Sequence, residues 1–123
     1  MKKILITLFL FFCFSSYGIT KETNFSMETF EKAKASGKTI VINSYEIWCG
    51  TCTAQTKVLN QAKKDFNSII FLSFEQGKNK EIAKKLDIKF RTTIVVYKGN
   101  NEVSRIIGQT SKKTIYSTIQ KGI

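Results

Sequence analysis

A chain of 123 residues has room for one domain and not two. It contains no histidine, which excludes Ser–His and Cys–His hydrolases and His-ligated zinc. Lys and Arg number 20 against 9 acidic residues, a net charge of +11; the lysines are scattered over solvated helix faces, and no arginine cluster marks a nucleic-acid surface.

Residues 1–18 read as a secretory leader. Lys2 and Lys3 form a basic start, Ile4 to Phe14 is apolar except for Thr7, and Ser16-Tyr17-Gly18 offers a cleavage site after Gly18. The apolar run is too short to span a bilayer, which needs about 20 residues. Removing the leader takes Cys13 with it and leaves two cysteines. The mature part, 19–123, keeps 18 of the 20 basic residues once Lys2 and Lys3 are gone. That excess reads as solvation, with a bias toward acidic partners. The leader places the protein in the periplasm or outside the cell and argues against a nucleic-acid partner.

After the leader, Ser26 caps a helix from Met27 to Ser36 that turns Met27, Phe30 and Ala33 inward and stops at Gly37. Ile40 to Asn43 is a strand apolar on both faces, as a central strand is. A helix running to Phe66 carries Ala54, Val58, Ala62 and Phe66 at a spacing of four. Ser68 to Phe74 is a second buried strand, and Asn79 to Leu86 a short helix. Thr93 to Tyr97 and Glu102 to Ile107 form a hairpin about Gly99-Asn100-Asn101. Gly108 ends that strand, and Ser111 caps a last helix with Ile115 and Ile119 inside. Parallel strands joined by helices and followed by a hairpin imply an α/β fold, a mixed sheet with helices on both faces.

Between the first strand and its helix stands Trp48-Cys49-Gly50-Thr51-Cys52. Two cysteines so close restrain the unfolded chain little, so a purely structural bridge there would add little stability. The pair suits redox exchange or metal binding better. A helix N-terminus carries about half a positive charge and unpaired N–H groups, which favour a thiolate on Cys49. Cys52, one turn further in, can reach a mixed disulfide formed on Cys49.

A strand, a short loop and W-C-G-T-C entering a helix resemble the thioredoxin superfamily, and the element order resembles it from about Phe25 to Lys121. The resemblance implies a thioredoxin-like sheet of four or five strands; an extra edge strand would have only Thr20 to Phe25 to occupy. It implies a nucleophilic Cys49, a resolving Cys52, Gly50 and Thr51 as the pair that tunes redox poise, and Trp48 as a flat apolar surface beside the sulfurs. The expected activity is exchange of electrons with protein cysteines by a monomer, with a redox partner and no cofactor beyond the couple itself. Two alternatives stay open: a protein holding soft Cu(I) through the two thiolates, and a redox-inert interaction domain.

The chain departs from the family pattern twice. The family's buried Asp, six residues before the first Cys, and its Lys partner fall here on Asn43 and Ser73, which removes the usual base for Cys52 unless Glu46 or Glu75 replaces it. Both of those read more simply as surface charges. The chain also has no proline, so the family's cis-proline position falls on Thr92, preceded by Arg91 at a substrate-contacting position. Thr92 there reads either as a drifted loop with lower activity or as a substrate groove more open around the sulfurs, with a free N–H that proline lacks.

Overall fold

The computed structural model describes residues 24–123. The leader of residues 1–18 lies outside that range. Eight elements follow in order: α1 Met27–Ala35, β1 Thr39–Tyr45, α2 Gly50–Asp65, β2 Ile70–Glu75, α3 Lys80–Lys85, β3 Thr93–Lys98, β4 Asn101–Ile107 and α4 Lys112–Gln120. Each expected element is present, and the ends differ from the expected ones by no more than two residues.

The strands pair in the order β2-β1-β3-β4. β1 runs parallel to β2 and antiparallel to β3, and β3 and β4 form an antiparallel hairpin, so the sheet is mixed. Gly99, at the hairpin turn, has φ +56°, a backbone state that costs glycine nothing and most residues something. Among the described residues there is no fifth strand. The stretch left for one, Thr20 to Phe25, lies outside the described residues except for Asn24 and Phe25, which hold the outer edge of β2 with both backbone N–H groups donating to the Ser73 carbonyl at 3.0 Å.

Alternation along the strands makes two cores. Ile40, Ile42, Leu72, Phe74 and Val95 face Phe30 and Ala33 of α1 and Ala83 of α3. Val41, Ile94 and Val96 face Leu59 and Ala62 of α2 and Ile115 and Ile119 of α4. Helices therefore cover both faces, with α2 and α4 on one side. Serine hydroxyls cap two of them: Ser26 accepts from the Thr29 N–H and Ser111 from the Thr114 N–H.

Two expectations shift. β2 is an edge strand, so Ile70 and Phe71 are only half-buried. On α2 the buried row is Cys52, Gln55, Leu59 and Ala62, while Ala54, Val58 and Phe66 flank it half-buried. A strict spacing of four rotates about 40° per step around a helix of 3.6 residues per turn. Alternating steps of three and four stay on one face, and they bring Gln55 inside.

Candidate active site

β1 ends at Tyr45, and a short loop carries the chain into α2 with Cys49 as its N-cap residue. The backbone of Cys49 is extended (φ −93°, ψ 110°), so its side chain folds back over the first helical turn. There the Cys49 Sγ accepts a hydrogen bond from the Cys52 backbone N–H at 3.1 Å. An N-cap oxygen usually fills this place, satisfying an amide the helix leaves unpaired. Here the acceptor is sulfur, and in the reduced protein the same amide and the helix field favour the thiolate.

Cys49 and Cys52 are joined as a disulfide with Cα atoms 5.2 Å apart. Both pack against buried Tyr45. Their surroundings differ in one respect that matters. Both are buried, Cys49 at 5% exposure and Cys52 at 1%, but Cys49 lines an open groove of about 360 Å³ together with Thr51, Phe90, Arg91, Thr92, Ile107 and Gly108, and Cys52 does not reach it. Large apolar side chains stand exposed around this mouth: Trp48 and Ile47 just before Cys49, Phe90 and Ile107 in the groove wall. The Arg91 guanidinium lies over the Trp48 ring, 4.5 Å from its centroid.

Thr92 lies in the same groove wall. No peptide bond among the described residues is cis, and Thr92 takes a left-handed backbone with φ +67°. Its N–H is not spare, as the sequence suggests, because it donates to the Ser44 carbonyl at 3.0 Å. The Thr92 carbonyl accepts from the Gly108 N–H at 3.0 Å and from the Gln55 amide Nε2 at 2.9 Å. That same nitrogen donates to the Gln109 carbonyl at 2.8 Å. The Phe90 carbonyl accepts from the Ser44 and Thr93 hydroxyls at 2.8 and 2.7 Å. Where a proline ring would stiffen the loop, hydroxyl and amide hydrogen bonds do so.

Asn43 and Ser73 are direct neighbours across β1 and β2, as the sequence alignment implies. Asn43 is half-buried, on the α2 side of β1 between Val41 and Tyr45. The two glutamates behave differently from each other. Glu46 accepts from the Gly77 N–H at 2.6 Å. Glu75 is not a plain surface charge: it is 7% exposed, opposite Tyr45 across the strands, and pairs with Lys78 at 3.3 Å. Among the described residues no three His, Cys, Asp or Glu side chains come together.

Of the residues singled out in the sequence, Cys49, Thr51, Arg91 and Thr92 line the groove, Trp48 stands against Arg91, and Gly50 opens the helix. Gln55, Ser44 and Phe90 escaped notice. A polar residue on the buried row of α2, three after Cys52, is the signal that points to Gln55.

A sulfur that lines a groove at a helix start, a second sulfur behind it and an α/β sheet that presents both define a thiol–disulfide oxidoreductase. The family model described as Thioredoxin matches residues 20–121. A thioredoxin H-type of Fagopyrum esculentum is 32% identical over 89 residues, covering 72% of this chain and 77% of the relative. The solved structure of Trxlp from Edwardsiella tarda EIB202 superposes with a TM-score of 0.74 at 23% identity, covering 77% of this chain and 94% of that one. That of Fasciola hepatica thioredoxin gives 0.69 at 24% identity, covering 78% and 90%. The chain belongs to the thioredoxin family.

Proposed function

We propose that the protein exchanges electrons with the cysteines of other proteins through the Cys49–Cys52 couple. The observation that carries this is the asymmetry of the pair: Cys49 opens on the groove under a donating amide, and Cys52 is sealed behind it. In the reducing direction the Cys49 thiolate attacks a substrate disulfide and expels one substrate thiolate, forming a mixed disulfide. The Cys52 thiolate then attacks the Cys49 sulfur, releases the second substrate thiolate and closes the Cys49–Cys52 disulfide. Two electrons pass to the substrate, and the reverse sequence oxidises a dithiol. The exposed apolar rim of Trp48, Phe90 and Ile107 supports a protein as the partner, since it offers area to a surface that covers the sulfur.

Trapping tests the roles. Cys52→Ala should accumulate a protein joined through Cys49, and Cys49→Ala should accumulate none. Accumulation on Cys52 instead would sink the assignment. We further propose export, supported by the leader-like residues 1–18; N-terminal sequencing of protein recovered outside the cytoplasm tests it, with Ile19 as the expected first residue.

A further inference from the structure

The chain has two arginines, and the fold treats them in opposite ways. Arg105 makes four hydrogen bonds. Its guanidinium pairs with Glu102 through Nε and Nη2, and it donates to the Leu86 and Asp87 carbonyls. Arg91 is exposed, holds its guanidinium carbon over the Trp48 ring, and has no ion-pair partner among the described residues. Contact with a ring through the central carbon leaves the N–H edge of a guanidinium available to a ligand. It also holds the side chain still, so less freedom is lost when that edge engages a ligand. A carboxylate is the group whose two oxygens match such an edge.

The position of that edge gives it meaning. Among the described residues, Arg91 is the only charged side chain in the wall of the groove that holds Cys49, and no acidic side chain lines it. Glu46, three residues before Cys49, is engaged with the Gly77 N–H, and neither it nor Asp87, four residues before Arg91, forms an ion pair with Arg91. The net charge of residues 19–123, 18 basic against 9 acidic or +9, draws anionic partners toward the surface as a whole. From these observations we infer that the site selects protein disulfides bearing an Asp or Glu beside the reacting cysteine, with Arg91 receiving that carboxylate. The inference deepens the dithiol reading and rests on it. A peptide whose sulfur is bonded to Cys49 places its neighbouring residue in the same groove as Arg91, and the pair can form while the sulfur reacts.

The test uses the reduced protein and short peptides carrying a single cysteine as a mixed disulfide with pyridine-2-thiol. The residue beside the cysteine is Glu, Gln or Lys, and the peptides are otherwise identical. Attack by Cys49 forms the Cys49–peptide disulfide and expels pyridine-2-thione, whose absorbance is followed. Each rate is divided by that of the same peptide with dithiothreitol, which removes intrinsic reactivity. The Glu peptide should then react about twofold to fivefold faster than the Gln peptide, as for an exposed ion pair. The Lys peptide should be slowest, and high salt should compress the series. Arg91→Gln should bring the Glu and Gln peptides together, and Lys89→Gln, a change of equal charge next door, should keep them apart. Equal rates in the unmodified protein, or a preference that survives Arg91→Gln, would overturn the inference alone. Failure of every peptide to react with Cys49 would overturn the dithiol reading and the inference with it.

Discussion

The backbone N–H of Thr92 is bonded to the carbonyl of Ser44, 3.0 Å away, and Thr92 reaches it with a left-handed backbone. Both features are closed to proline, which has no N–H and holds φ near −65°. A proline ring at this position could not simply fill space beside the sulfurs. It would strand the Ser44 carbonyl and force the loop from Phe90 to Thr93 into another shape. Thr92→Pro should therefore lower stability by about 2–4 kcal/mol. Thr92→Gly should stay within about 1 kcal/mol of the parent, because relief of the left-handed strain opposes the extra freedom of the unfolded chain. Urea unfolding of the two variants checks both figures. A Thr92→Pro variant as stable as the parent would show that this loop is not held as described.

Gln55 ties the two walls of the groove to α2, since one amide nitrogen serves the carbonyls of both Thr92 and Gln109. Its own Oε1 is buried without a partner. Gln55→Leu thus loses two hydrogen bonds and also removes an unsatisfied acceptor, and the two effects partly offset. We expect a net loss of about 1–2 kcal/mol. The larger effect should be local, with faster hydrogen exchange at the Gly108 N–H, whose acceptor carbonyl has lost its second tie. Gln55→Glu should be worse at neutral pH, where a carboxylate would face two carbonyl oxygens, and should recover in acid once it can donate again. Unchanged exchange at Gly108 in Gln55→Leu would deny Gln55 its bracing role.

The contrast between Cys49 and Gln55 shows what the sequence reveals by itself. Cys49 is legible because its chemistry, its spacing from Cys52 and its place between a strand and a helix are all local in the chain. The elements are legible for the same reason: Ser26, Ser111, Gly99 and Gly108 act on their own neighbours. Gln55 is different. It looks like one more polar residue on a helix until the fold brings Thr92 and Gln109, 37 and 54 residues away, to its amide. The Thr92 backbone is hidden in the same way, because nothing in the local sequence requires a left-handed threonine. Its conformation follows from Ser44, Gly108 and Gln55, each on a different segment.

On the far side of α2, Tyr116 donates to the Asp65 carboxylate at 2.5 Å. Burial of the ring, followed by the Asp65 hydrogen bond and charge, pushes the Tyr116 hydroxyl up to about 12 from an ordinary 10.0. The Tyr116 hydrogen bond, with a smaller one from Gln61, draws Asp65 below its ordinary 3.8. A raised tyrosine value means stability fully present below pH 10.0 and lost as pH climbs through about 12. A depressed aspartate value means stability present above 3.8 and lost as pH falls through the lower folded value. The stability gap between the parent and Tyr116→Phe should then be flat near neutral pH and close toward both extremes. Urea midpoints across that range measure it, and a gap that stays constant in strong acid and strong base would rule out the linkage.

Asn43 bears on how fast Cys52 can act. It is half-buried on the α2 side of β1, next but one to Tyr45, which packs on both cysteines. Its amide cannot take a proton from the Cys52 thiol, so resolution of a mixed disulfide proceeds without a base at this position. Asn43→Asp supplies one. We expect release of a peptide bound to Cys49 to quicken by about threefold to thirtyfold near neutral pH. That is below the full range for general-base catalysis, because the side chain is only half-buried and would act at one remove. The gain should fade in acid as the new carboxylate protonates, with a midpoint above the ordinary aspartate value because partial burial disfavours the charge. The same burial should reduce stability by about 1–2 kcal/mol, with no Lys across the strands at Ser73 to compensate. Stopped-flow release from the Cys49 mixed disulfide separates this from a packing effect, since Asn43→Leu would alter packing without adding a base and should not quicken release. Equal rates in the parent and Asn43→Asp, with folding intact, would mean that this face of β1 does not communicate with Cys52.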